Sequence, residues 1–243
     1  MSSVSAAHAA DDPAVAHGFV DALEDRVEIG GADGHHLQRV RRLRTGERVT
    51  LGDGSGAWRA YEVVESARGR LTLAAVGGIR CEPRRGPRIA VALALRKGGL
   101  EQVSARLTEL GVERIEPVRT ARSVVHLGGD RAAGTVARLR GVVREAAMQC
   151  RRATVPEVRA VADVAALASR ADLVVVERGG APAARLGPPA TGTWTLLVGP
   201  EGGFAPEDLE GLRPCAHLGL GPHVLRAETA PVAAVAALLA REP

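Results

Sequence analysis

The chain has 243 residues, enough for two small domains, with 46% hydrophobic but only 2% aromatic residues, so its core is built from Val, Leu, Ala and Ile. No stretch approaches the roughly 18 to 20 apolar residues of a membrane-spanning helix, and the N-terminus lacks the basic-then-apolar pattern of a secretory signal. The net charge is +4, and Lys97 is the only lysine among 32 basic residues. Arginine forks suit phosphates and stack on bases, but a solvated surface explains the same excess.

Residues 1–16 are rich in Ala and Ser and read as a flexible tail. From 18 to about 80 the chain reads as mostly β. In DGHHLQRVRRLRTGE, Leu37, Val40 and Leu43 fall at helical spacing with arginines on the outer face, which predicts one amphipathic helix. ERVTLGDGSG predicts a strand entering a turn at Asp53–Gly56, AWRAYEVVES the returning strand and RLTLAAV a third. Short strands joined by glycine turns suggest a small barrel. Arginines crowd at 39, 41, 42, 44 and 48, and again at 80, 84, 85, 88 and 96 beside Lys97. Each cluster is equally a solvated face or an RNA track.

CEPRRGPR reads as a linker. Beyond it the rhythm changes to alternating strands and helices, which predicts an α/β domain with a largely parallel sheet. RIAVALAL is a buried strand, residues 99–110 a helix stopped at Gly111, VERIEPV a strand and 131–150 a helix. ADLVVVER and TWTLLVG are strands, followed by a helix from about 206, a short strand near 215–220 and a last helix from about 228 to 241. Cys81, Cys150 and Cys215 are scattered and read as buried thiols, with neither a disulfide framework nor a metal site.

Two segments carry chemistry. TLLVGPEGGFAPEDLE, residues 195–210, runs from an apolar strand through Gly199, Glu201, Gly202 and Gly203 to a helix start at Pro206. Glycines there let a ligand approach the backbone, and carboxyl ends of strands are where open α/β sheets bind ligands. Glu201, Glu207 and Asp208 disfavour an anion at this helix start, so the loop is either a structural turn or a seat for a cofactor with a positive centre. LGLGPHVLRAETAPVAAVAAL, residues 218–238, presents Arg226 at the mouth of an Ala-rich helix. Arg226 is either a substrate-facing cation or the partner of Glu228.

Together GPEGGF and LGxxxLRAETA resemble the SPOUT methyltransferases, and within them the RsmE family. HHLQRVRRLRTGERVTLGDGSG, LTELGVERIEPVRTARSVV and REAAMQCRR are similar to that family's other signatures, in the same order, over about residues 18–240. The chain departs from the pattern at Ala121, Met148, Arg151 and His223. The resemblance implies a PUA-like RNA-binding β-barrel over 17–82 and a trefoil-knotted SPOUT methyltransferase domain over 83–243. It further implies S-adenosylmethionine as cofactor, no metal, a cytoplasmic homodimer, and N3 of a uridine in the 16S ribosomal RNA of the small subunit as target. Other SPOUT activities, on the 2′-hydroxyl or N1 of guanine, and a non-catalytic RNA-binding assembly factor are the alternatives. Carried onto this chain, the cofactor contacts are Leu197, Val198, Gly199, Glu201, Gly202, Gly203, Leu220, Gly221, Val224, Leu225 and Arg226. Arg226 and Glu201 are the catalytic candidates. His36, Arg39, Arg42, Lys97, Arg122 and Arg152 are the RNA-contact candidates.

Overall fold

The structure is a computed structural model that describes residues 5–30, 43–67, 70–84, 86–123 and 129–241. The chain divides into two compact units, 1–84 with 144–155, and 85–143 with 156–243. The amphipathic helix expected around Leu37 and Val40 lies outside the described residues.

The first unit carries strands β1 (Ser5–Ala6), β2 (Ala16–Phe19), β3 (Arg26–Ile29), β4 (Arg48–Gly52), β5 (Ala57–Ala67), β6 (Arg70–Ala75) and β7 (Arg80–Cys81). The long β5 pairs antiparallel with β4, β6 and β7, while β3 joins β6, β2 runs parallel to β4 and β1 parallel to β7. Val49, Leu51, Tyr61, Val63, Leu71 and Leu73 come together as one buried cluster, as alternation along a half-buried sheet dictates. The Asp53–Gly56 turn forms because the Asp53 carboxylate accepts from the backbone N–H groups of Ser55 (2.7 Å), Gly56 and Ala57 (both 3.1 Å).

The flexible tail expected over 1–16 is corrected from Ser5 onward. β1 pairs with β7, Ala9, Ala14 and Ala16 are buried, and the Trp58 indole N–H donates to the Ala7 carbonyl at 2.7 Å. Small side chains leave little to pack with, so composition suggested disorder; here they let the backbone lie close against Trp58. The linker expected at CEPRRGPR likewise starts later, because Arg80 and Cys81 are strand residues. Cys81 and Cys215 are exposed rather than buried.

His17 on β2 is 3% exposed, bonded through Nδ1 to Thr50 Oγ1 at 2.8 Å and set edge-on to Phe19. Burial, reinforced by the positive Arg151, pushes its pKa down to about 4 from 6.5. The folded protein therefore binds fewer protons than the unfolded chain between these values, so the stability is complete above pH 6.5 and is lost as pH falls toward 4. The loss from this one residue is about 3 kcal/mol at pH 4. Urea titrations of the wild type and His17→Gln across pH 4 to 7 should show the wild type losing the larger amount. Parallel curves would refute it.

The second unit holds β8 (Arg88–Ala94), α1 (Leu100–Glu109), β9 (Arg114–Arg119), α2 (Gly129–Cys150), β10 (Glu157–Val158), β11 (Ala162–Asp163), β12 (Leu173–Ala181), β13 (Thr193–Val198), α3 (Pro206–Leu209), β14 (Ala216–Leu218) and α4 (Thr229–Leu239). The last two turns or so of α2, from Arg144, group with the first unit. Every strand pairing is parallel, in the order β10–β9–β8–β13–β12–β14, with β11 also on β9. β13 is thus inserted between the first strand of the unit and β12. Its run TWTLLV is buried from Trp194 to Val198 because such a central strand is covered on both faces. α1 buries Leu100, Val103 and Leu107, and Gly111 at φ +86 ends it while Val112 N–H closes back on Leu107. The helix expected from 206 is only the single turn α3. No described helix is long and apolar enough to cross a membrane.

Candidate active site

The carboxyl ends of β12, β13 and β14 open into one cavity of about 380 Å³. Its wall comes from three chain segments: Val176–Arg178, the loop Val198–Phe204, and Leu220–Leu225, with Leu209, Ala227 and Ala230 behind. This is the crevice at which a parallel sheet binds ligands, beside the strand where the chain order reverses.

Of the sequence candidates, Val198, Gly199, Glu201 and Gly203 line the cavity from β13 and its loop, and Leu220, Gly221, Val224 and Leu225 line it from the loop after β14. Leu197 is fully buried in the core below. Gly202 turns away toward Arg122, whose Nη1 donates to the Gly202 carbonyl at 2.7 Å. Arg226 is exposed at the rim and forms no ion pair among the described residues. Lys97 is exposed past the end of β8, and Arg152 is half-buried in the first unit. His36, Arg39 and Arg42 lie outside the described residues.

The GPEGG loop needs its glycines for local reasons. Gly203 sits at φ +67, and a Cβ on Gly199 would press on the Phe204 ring at 3.2 Å. Asp208 does not face the cavity. It is 5% exposed, and its carboxylate accepts from Ala205 N–H at 2.8 Å and from Ala121 N–H at 2.7 Å. It therefore fastens the loop after β13 to the loop after β9. Ala121 contributes only its backbone to this clasp, so the departure from the family pattern there costs the clasp nothing.

β12 carries an irregularity that sequence did not suggest. Leu218 of β14 registers with both Val176 and Ala181, so residues 177–180 bulge out of the ladder. The bulge delivers Glu177 and Arg178 to the cavity wall. The Glu177 carboxylate meets His217 Nδ1 at 2.7 Å. At the neck of the bulge the chain passes itself with no side chain between: a Cβ on Gly180 would stand 2.6 Å from the backbone nitrogen of Gly219. At the other end of the strand, burial alone would raise the Asp172 carboxyl. Donors from Thr191 and Ala190 outweigh that and hold it below the usual carboxylate range. The loop between β12 and β13 is thereby tied to the start of β12.

Arg96, at the end of β8, is a second residue sequence reasoning missed. Its side chain is 6% exposed, and Nη1 donates to Glu228 at 3.0 Å and to Glu201 at 3.4 Å. One arginine thus joins the GPEGG loop to Glu228, the residue that precedes the last helix. Its signal in the sequence was membership of the basic cluster beside Lys97, which a solvated face explains as well.

The chemistry of the wall is selective. Val176, Val198, Leu209, Leu220 and Leu225 give a body of apolar contact, backbone groups at Gly199, Gly203 and Gly221 are open to close approach, and Glu177 and Glu201 outnumber Arg178 to leave the wall net negative. A nucleoside-sized ligand with a positive centre fits this lining, and a polyphosphate does not.

Fold and site define an RNA methyltransferase of the α/β class. The RNA methyltransferase domain family matches residues 84–239, and the RNA methyltransferase PUA domain family matches residues 29–75. The ribosomal RNA small subunit methyltransferase E of Mycobacterium bovis is 34% identical over 235 residues, covering 90% of this chain and 89% of the relative. The Bacillus subtilis protein of the same name is 28% identical over 242 residues, covering 90% and 94%. A crystal structure of the Neisseria gonorrhoeae ribosomal RNA small subunit methyltransferase E, bound to S-adenosyl methionine, superposes with a TM-score of 0.77 at 26% identity over 92% of this chain and 96% of that one. The chain belongs to the ribosomal RNA small subunit methyltransferase E family, with a PUA-like domain ahead of a SPOUT-type α/β methyltransferase domain.

Proposed function

We propose that this enzyme methylates N3 of a uridine in the 16S ribosomal RNA of the small subunit, using S-adenosylmethionine. Family membership supports the methylation of small-subunit RNA and the cofactor. One observation carries the site: a glycine-edged, carboxylate-bearing cavity at the ends of β12, β13 and β14, with an exposed arginine at its rim. The apolar wall and the open backbone of Val198–Gly199, Gly203, Leu220–Gly221 and Leu225 would hold the nucleoside part. Bound there, the cofactor supplies an electrophilic methyl group on a positively charged sulfur.

The residues must then make uracil N3 a nucleophile. N3 carries a proton at neutral pH, and its negative charge, once formed, spreads onto the two flanking carbonyl oxygens. Arg226 stabilises that charge by donating to one of these oxygens. Glu201, its side chain 59% exposed at the cavity, takes the N3 proton or orients the base edge. N3 lies on the Watson–Crick edge, so the nucleotide enters unpaired. Lys97, Arg122 and Arg152, with His36, Arg39 and Arg42, form the phosphate-contact set. Arg122 combines this role with its hold on the Gly202 carbonyl.

Ribosomal subunits place the enzyme in the cytoplasm, and a second copy of the chain closes the open side of the cavity, where Val224 stands 79% exposed. The test is transfer of label from radioactive S-adenosylmethionine to purified small subunits, large subunits and naked 16S RNA. Label in the small-subunit RNA alone supports the proposal. Label only in the large subunit, or in none of the three, removes it.

A further inference from the structure

Arg96 is an expensive residue to keep. Its side chain is almost fully enclosed, and Nη2 is buried with no hydrogen-bond partner, a state that costs stability. The space beside Nη2 is kept open by Gly99, at φ +72, where a Cβ would collide with the guanidinium. What this arrangement achieves is visible in its partners. Glu228 precedes α4 and lies two residues after Arg226. The hydrogen bond from Arg96 and then one from the backbone hold the Glu228 carboxyl below the usual carboxylate range; Arg226 acts on it only through its field. Two cations thus compete for one carboxylate, and Arg96 has it, at 3.0 Å.

We propose that Arg96 is a positioning residue: by occupying the Glu228 carboxylate it keeps the Arg226 guanidinium unpaired at the cavity rim, available to an oxygen acceptor on the substrate base. Without Arg96, Glu228 and Arg226 are neighbouring opposite charges two residues apart, and the carboxylate captures the guanidinium. The simultaneous contact of Arg96 with Glu201 makes the same residue hold the second candidate group in place. The expectation for catalysis rests on the role proposed above for Arg226; the expectation for the state of the Arg226 side chain does not.

The experiment therefore reads both. Phenylglyoxal modification of Arg226 is followed by peptide mass spectrometry in the wild type, Arg96→Met, Glu228→Gln and the double variant, with kcat, cofactor affinity and melting temperature measured on each. In Arg96→Met, modification of Arg226 should slow about fivefold and kcat should fall about tenfold or more, through capture by Glu228. Adding Glu228→Gln should return both to within about threefold of Glu228→Gln alone, since the captor is gone. Arg96→Met with Glu201→Gln should show no recovery of the modification rate. Arg96→Lys, which keeps a cation for the carboxylate, covers the case in which the methionine variant does not fold, and should leave Arg226 as reactive as in the wild type. If Arg226 reacts equally in the wild type and Arg96→Met, or if removing the Glu228 carboxylate rescues neither quantity, the positioning role is wrong. If modification behaves as expected while Arg226→Gln methylates normally, Arg96 guards Arg226 but Arg226 is not the catalytic group.

Discussion

Arg226→Ala should lower kcat for methyl transfer by about 100- to 1000-fold while leaving the dissociation constant for S-adenosylmethionine within about threefold of the wild type. The split follows from where the residue stands. Arg226 is at the rim and does not line the cavity, whose walls are Val198–Phe204 and Leu220–Leu225. Removing its side chain takes nothing from the nucleoside contacts. In the proposed mechanism it removes the positive charge that would meet the uracil anion, an interaction that strengthens only as N3 loses its proton. The same reasoning makes the variant sensitive to pH. Without help from Arg226 the substrate ionises only at more alkaline pH, so the residual rate should climb more steeply with pH than the wild-type rate. Calorimetric titration of the cofactor beside single-turnover kinetics checks all three statements. An unchanged kcat would return Arg226 to the other reading open from sequence, a local partner of the last helix.

Gly180→Ala should be strongly damaging to the second unit, costing about 3 kcal/mol and about 10 °C in melting temperature. A methyl group on Gly180 lands 2.6 Å from Gly219 N and from the Leu218 carbonyl carbon, and both are backbone atoms within a ladder that cannot yield as a side chain would. The crossing also sets where the Glu177–Arg178 bulge and the Leu220–Gly221 segment begin, so cofactor affinity should fall by about tenfold or more with stability. Gly179 is the internal control. It sits at φ +92 with nothing within 4 Å of a Cβ. Its replacement by Ala meets only the torsional penalty, about 1 kcal/mol. Equal losses at 179 and 180 would mean that backbone strain rather than close passage governs this corner.

What sequence shows and what it hides divide along one physical line. Properties that depend on neighbours along the chain are legible. The apolar run of β13, the Asp53 turn, the Gly111 helix stop and the glycine loop after Val198 each follow from local periodicity or torsion, and each is found. Properties that depend on a partner far along the chain are not. Arg96 is 105 residues from Glu201 and 132 from Glu228. The Asp208 clasp on Ala121 spans 87. Asp208 looked like a charge presented to a ligand, and only tertiary structure turns it inward. The N-terminal segment failed for a related reason, because alanines gain order only from the surface they lie on, here Trp58 and β7. The insertion of β13 between β8 and β12 has no local signature, so the SPOUT arrangement was legible only through resemblance.

The most direct test of the central claim is the identity of the methylated nucleoside. Small-subunit RNA methylated by the purified wild-type enzyme is digested to nucleosides and resolved by liquid chromatography with mass spectrometry. The expected result is 3-methyluridine as the one new product, absent when Arg226→Ala replaces the wild type. A 2′-O-methylated nucleoside or 1-methylguanosine in its place would contradict that mechanism, in which Arg226 and Glu201 act on the Watson–Crick edge of uracil and on no other group.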